Sequence, residues 1–156
     1  MKIVFTGGGT GGHIFPIVAI AREIKIIDPN AELYFIGPGD LKLVEELLKE
    51  GIEAKIIPAG KLRRYFSLNN ISDILFKIPL GILKSILILI KIRPNIIFSK
   101  GGYGSLPVIF AAKLLKMTVI VHESDAIPGL ANKKAFTMAK LIITAFPLND
   151  NKLISQ

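Results

Sequence analysis

The stretch "MKIVFTGGGTGGHIFPIVAI" (residues 1–20) carries, in order, a β-branched run, a glycine-rich loop and an apolar run at helical spacing. "KIVFT" (2–6) reads as a buried strand, because a short apolar run entering a turn suits a parallel strand covered on both faces. The same grammar repeats along the chain. "LYFIG" (33–37), "AKIIP" (54–58), "NIIFS" (95–99), "TVIVH" (118–122) and "LIITA" (141–145) are five further predicted strands. Helices are predicted between them at about 14–27, 40–50, 70–92, 105–116 and 129–139. Gly51 suits a helix end, and Pro107 and Pro128 stand where first-turn prolines are tolerated. This alternation predicts an α/β fold, a Rossmann-like doubly wound parallel sheet with right-handed crossovers.

The 156 residues suffice for one domain with a real core. The absence of cysteine excludes disulfides and thiolate metal sites and suits a reducing compartment. The sequence opens straight into a strand, without the charged, apolar and small-residue regions of a signal peptide, so a cytoplasmic location is expected. A formal net charge of +8 points toward nucleic acid, anionic membranes or phosphorylated ligands. The Lys and Arg residues are dispersed, with no Arg-rich or aromatic-interleaved patch, so no nucleic-acid partner is expected.

Two stretches interrupt the alternation. "PAGKLRRYFSLNN" (58–70) is a long polar, basic connection, a length that goes with function or with poor order. "ISDILFKIPLGILKSILILIKIRP" (71–94) is too broken by Lys77, Pro79, Gly81, Lys84 and Lys91 to span a membrane. Ile71, Ile74, Leu75, Ile78, Ile82, Ile86 and Leu89 form one stripe, the expected core face. Phe76, Leu80, Leu83 and Leu87 form a second stripe beside Lys77, Lys84 and Lys91. Apolar residues flanked by lysines suit an interfacial membrane contact, and burial of both stripes is the alternative.

Three candidate sites follow strand ends, where ligands bind in open α/β sheets. "GGGTGG" (7–12) formally satisfies the dinucleotide pattern, but strand two ends in "FIGPGD", with Asp40 poorly placed for a ribose. What remains is a run of backbone amides at a helix start, suited to a phosphate or a close-packed sugar. His13 can act there as a general base or as a capping and packing residue. The second site is "SKGGYGSLP" (99–107), another glycine turn, with Lys100 and Ser105 available as donors. The third, "HESDAIPGLAN" (122–132), groups His122, Glu123, Ser124, Asp125 and Asn132 around a Pro-Gly turn. No metal site is expected there, because neighbouring residues on a strand end point in different directions. Glu123 and Asp125 suit either a hydroxylated ligand or plain turn and cap duties. Together the three loops imply a cleft for something with phosphate and sugar character.

"GGTGGHIFPIVAIA" (8–21), "SKGGYGSLPVIFAA" (99–112) and "HESDAIPGLANK" (122–133) resemble, in order and spacing, the N-terminal-domain motifs of the MurG family. These are the peptidoglycan N-acetylglucosaminyltransferases that act on lipid I. The resemblance implies a GT-B architecture of two Rossmann-like domains facing across a cleft. It implies inverting transfer of GlcNAc from UDP-GlcNAc to the C4 hydroxyl of the muramoyl sugar of lipid I, with neither metal nor other cofactor. It further implies that the N-terminal domain holds the undecaprenyl-diphosphate-linked acceptor at the cytoplasmic face of an anionic membrane. By motif position, phosphate contacts fall to Gly8, Gly9, Thr10, Gly11, Gly12, Gly101, Gly102 and Tyr103, and His13 is the candidate base. Glu123, Asp125 and Asn132 become polar groups of the cleft, and Phe76, Lys77, Leu80, Leu83, Lys84 and Leu87 the membrane contact.

Two departures stand out. Many members read "HEQNA" where this chain has "HESDA", so Asp125 accepts hydrogen bonds but cannot donate them as Asn does. Gly104 stands where Val is common, which is expected to loosen that turn. The expected organisation is an acceptor domain over 1–145 and the start of an interdomain linker over 146–156, without the donor-binding half. The alternative is a stand-alone membrane-recruiting subunit of a split transferase, and either way the chain alone is expected to be inactive.

Overall fold

The fold is described from a computed structural model for residues 1–8, 11–60 and 76–147. Six strands pair in parallel in the order β3-β2-β1-β4-β5-β6. They are β1 (Lys2–Gly7), β2 (Glu32–Gly37), β3 (Ile52–Ile56), β4 (Ile96–Gly101), β5 (Val119–Glu123) and β6 (Leu141–Thr144). The chain winds outward from β1 to β3 and then returns to the other side of β1 to lay down β4. Winding therefore reverses between β1 and β4, and the carboxyl ends of those two strands bound the crevice where such sheets bind ligands.

Side chains alternate across the sheet, so each face has its own core. On one face Ile3 and Phe5 pack with Ile17, Phe35, Leu47 and Ile52, all at most 3% exposed, under α1 (Gly11–Ile27) and α2 (Leu41–Lys49). On the other, Val4, Ile97, Val119 and Val121 pack with Leu89, Val108 and Ile109 of α3 (Ile78–Ile92) and α4 (Leu106–Leu114). Burial of each such side chain contributes about 1.5–3 kcal/mol. The last helix, α5 (Leu130–Phe136), buries Ala135 and Phe136 in the second core.

The expected α/β class and strand number hold, with three local differences. The third strand runs over 52–56 rather than 54–58. Gly51, at φ +70°, ends the preceding turn so abruptly that Ile52 already pairs with Leu33. Pro58 has no N–H to extend the ladder. The last helix is shorter than 129–139, and Pro128 precedes its cap residue Gly129 instead of lying in its first turn. In α3 the deepest positions are Gly81, Ser85, Leu89 and Ile92, while Ile82 and Ile86 are half-buried. The expected stripe thus lies to one side of the true packing face. Gly81 sits against the Pro58 carbonyl and the Pro107 ring, an approach that a larger side chain would block. Ser85 Oγ donates to the Gly81 carbonyl at 2.7 Å, so the hydroxyl is satisfied within the helix. Ile71, Ile74 and Leu75 of that stripe, like residues 61–70 of the basic connection and 148–156 of the expected linker, lie outside the described residues.

The second stripe is exposed: Phe76, Leu80, Leu83 and Leu87 all face solvent, with Lys77 and Lys84 beside them. Among the described residues no helix is long and apolar enough to cross a membrane.

Candidate functional site

The crevice is built from the loops that leave β1, β4 and β5. The first two are tied together, because the Gly8 N–H donates to the Gly101 carbonyl at 3.0 Å. That amide is therefore committed to the fold rather than open to a ligand. Gly9 and Thr10 lie outside the described residues, and Gly11 and Gly12 form the first residues of α1. His13 projects from that first turn onto the two loops. A Cβ on Gly8 would lie 2.6 Å from its Cδ2, and one on Gly102 would lie 3.0 Å from its Nε2. Gly102 also has φ +81°, a left-handed conformation that costs glycine little. The two glycines are thus the slot that holds the imidazole.

His13 Nδ1 is buried and has no hydrogen-bond partner among the described residues. Burial, and then the Lys100 ammonium, push the imidazole pKa below 6.5, opposed by a hydrogen bond to the Lys100 backbone and then by Asp125 and Glu123. The ring is therefore neutral near pH 7.

The third loop is braced by Glu123, which is 4% exposed. Its Oε1 accepts from the Asp125 N–H at 3.0 Å and its Oε2 from Asn132 Nδ2 at 2.8 Å. Asn132, in the first turn of α5, lies over Gly101, where any Cβ would collide with its amide and where φ is +89°. His122 stacks on Phe98 at 6.1 Å between ring centroids. Lys100 Nζ reaches across from β4 and donates to Ser124 Oγ at 2.9 Å.

Two cavities open from this arrangement. One, of about 390 Å³, is lined by Gly12, His13, Lys100, Glu123, Asp125 and Asn132 among others. The other, of about 530 Å³, is lined by Gly8, His13, Pro38, Asp40 and Gly60 among others. His13, Gly102 and Tyr103 line both, so the imidazole stands on the ridge between them. The expected site residues Gly12, His13, Gly102, Tyr103, Glu123, Asp125 and Asn132 thus meet on one cavity and Gly8 on its neighbour. Gly101 lies behind them, under Asn132.

The sequence reading passed over the loop after β2. Pro38 and Gly39 form a wall of the larger cavity, and Asp40, whose Oδ1 accepts from the Leu43 N–H at 2.9 Å, caps α2. The signal for it is the Pro-Gly pair at a strand end, where open α/β sheets bind ligands.

Gly104 corrects an expectation. It belongs to a single 3₁₀ turn, Tyr103–Ser105, and is buried rather than loosened. A Cβ there would lie 2.6 Å from Pro38 Cγ and 2.8 Å from the Gly7 carbonyl oxygen. Gly104→Val is expected to destabilise the domain by about 1–3 kcal/mol through overpacking, read as a lowered urea midpoint. Pro38→Ala in the same chain should restore part of it. An unchanged midpoint would show that the turn has room to spare.

The sequence profile of the glycosyltransferase family 28 N-terminal domain matches residues 3–144. The chain belongs to glycosyltransferase family 28. This family 28 domain is 46% identical over 147 residues to a protein of Borrelia garinii named as a UDP-N-acetylglucosamine–N-acetylmuramyl-(pentapeptide) pyrophosphoryl-undecaprenol N-acetylglucosamine transferase. That match covers 93% of this chain and 40% of the Borrelia protein. A Streptococcus suis protein of the same name is 44% identical over 148 residues, covering 93% of this chain and 41% of its own length. Among solved structures, Acinetobacter baumannii MurG superposes with a TM-score of 0.77 at 24% identity, covering 94% of this chain and 42% of that one. The domain therefore spans about 40% of the length of the relatives it matches.

Proposed function

We propose that this domain is the acceptor-binding half of an inverting transferase that moves GlcNAc from UDP-GlcNAc to the C4 hydroxyl of the muramoyl sugar of lipid I. The observation that carries the reading is a neutral imidazole, His13, on a ridge shared by two cavities at the topological switch of the sheet. A neutral imidazole keeps one unprotonated ring nitrogen able to take a proton. It accepts the proton of the acceptor hydroxyl as that oxygen bonds to the anomeric carbon of GlcNAc. The bond from that carbon to the UDP oxygen breaks, and UDP leaves with the electron pair. A neutral base positioned this way supplies about 10²–10⁴-fold. Gly12, Gly102 and Tyr103 border the space for the acceptor diphosphate and Glu123, Asp125 and Asn132 the space for the sugars, as the family resemblance implies. The names of the relatives support the same chemistry. The test is transfer of labelled GlcNAc to a lipid I analogue by the domain joined to a donor-binding half. No product under those conditions would sink the reading.

The exposed stripe on α3 fits a lipid-linked acceptor. Phe76, Leu80, Leu83 and Leu87 would enter the interface while Lys77 and Lys84 meet anionic headgroups. Leu80→Glu with Leu83→Glu is expected to weaken flotation with anionic vesicles at least about tenfold, since each leucine forfeits 1.5–3 kcal/mol of burial. Unchanged flotation would remove the membrane role from this helix.

A further inference from the structure

Lys100 is a buried charge to which the proposed reaction assigns no substrate contact. It is 4% exposed, yet no carboxylate lies within ion-pair distance of its ammonium among the described residues. Its one hydrogen-bond partner there is a neutral hydroxyl, Ser124 Oγ, at 2.9 Å. An ammonium carries three donors, so two are left over, and it lines the smaller cavity together with His13. An ion buried without a counter-charge is costly, and such a group is normally paired.

The nearby carboxylates do not fill that place. Both oxygens of Glu123 are engaged, by the Asp125 N–H and by Asn132 Nδ2. Asp125 is exposed, and it meets Lys100 through the Ser124 hydroxyl, which lies 3.5 Å from Asp125 Oδ1. No carboxylate among the described residues therefore supplies its counter-charge.

We infer that Lys100, with Ser124, is an anion subsite of the smaller cavity that holds a phosphate oxygen of a diphosphate-bearing substrate next to His13. The inference rests on the proposed transferase reading for the identity of that substrate. Its chemistry, a diphosphate oxygen accepting from a buried ammonium, is shared by the sugar nucleotide and by the polyprenyl-diphosphate acceptor. A charge-assisted hydrogen bond of this kind contributes about 1.5–3 kcal/mol, or roughly 10- to 100-fold in affinity.

The experiment is calorimetric titration of this chain with inorganic pyrophosphate, for the native sequence, Lys100→Met, Lys100→Arg, and the exposed control Lys113→Met. Amide spectra establish that each variant is folded. The expected result is pyrophosphate binding that falls at least about tenfold in Lys100→Met, is partly kept in Lys100→Arg, and is unchanged in Lys113→Met. Competition by farnesyl diphosphate and by UDP-GlcNAc then identifies which substrate the subsite serves. Equal affinity of folded Lys100→Met and native chain overturns the inference, as does a native chain that binds no pyrophosphate. Failure of GlcNAc transfer with pyrophosphate binding intact would remove the transferase reading and leave the anion subsite standing.

Discussion

Replacing His13 by Ala in the domain joined to a donor-binding half is expected to lower kcat by about 10²–10⁴-fold, with a smaller change in KM. On the proposed reading the loss falls on kcat, because a base acts on the proton in flight while the loops assigned to substrate binding are left intact. Burial and Lys100 hold the imidazole pKa below 6.5, so the reactive neutral form persists into mildly acidic solution. The acidic limb of kcat/KM in the native protein therefore lies below pH 6.5 and disappears in His13→Ala. The same depression has a stability consequence. A histidine harder to protonate when folded contributes stability that is present above 6.5 and is lost as pH falls through its folded value. A loss in kcat of less than about tenfold, roughly 1.4 kcal/mol of barrier, would remove His13 from the base role.

Gly81→Ala is expected to destabilise the domain, although glycine to alanine inside a helix ordinarily gains about 1 kcal/mol. At this position the new methyl meets the Pro58 carbonyl, which is backbone and cannot swing aside, and the Pro107 ring. Overpacking of about 1–3 kcal/mol or more outweighs the propensity gain. For a chain of this size each kcal/mol is about 2–4 °C in Tm, so a fall of several degrees should appear in a thermal melt. A raised Tm would mean that α3 can lift away from α4 at no cost.

Gly81 also illustrates what the sequence conceals. The strands and their alternation with helices are legible because a buried parallel strand needs a short unbroken apolar run, and "KIVFT" or "TVIVH" supplies it locally. The face that α3 turns to the sheet is not legible in the same way. Hydrophobic periodicity marks Ile78, Ile82 and Ile86, whereas close approach to α4 selects for smallness, at Gly81 and Ser85. The displacement of β3 has a similar origin, since its start is fixed by the left-handed Gly51 and by Leu33 across the ladder, not by where "AKIIP" is most apolar.

The candidate site divides along the same line. The motif residues are visible as loops at strand ends, and most of the described ones line two adjoining cavities. Their mutual roles were hidden, because those depend on contacts between loops far apart in sequence. Gly8 and Gly102 read as phosphate cradles but also form the slot for His13. Glu123 read as a ligand contact, and its oxygens brace Asp125 and Asn132. Lys100 needed Ser124, 24 positions along, before its isolation could be recognised.

The bond from the Gly8 amide to the Gly101 carbonyl carries a thermodynamic consequence. Free glycine turns are the most disordered segments a chain can offer, and arresting them at the moment of association would weigh against any ligand. Here Gly8, Gly101 and Gly102 are already arrested when the domain folds, by each other, by His13 and by Asn132. At those three residues the conformational entropy is lost in making the domain rather than in loading it. A ligand arriving at the ridge encounters walls already in position, and its binding heat is opposed by less ordering than the glycine content of the loops would suggest.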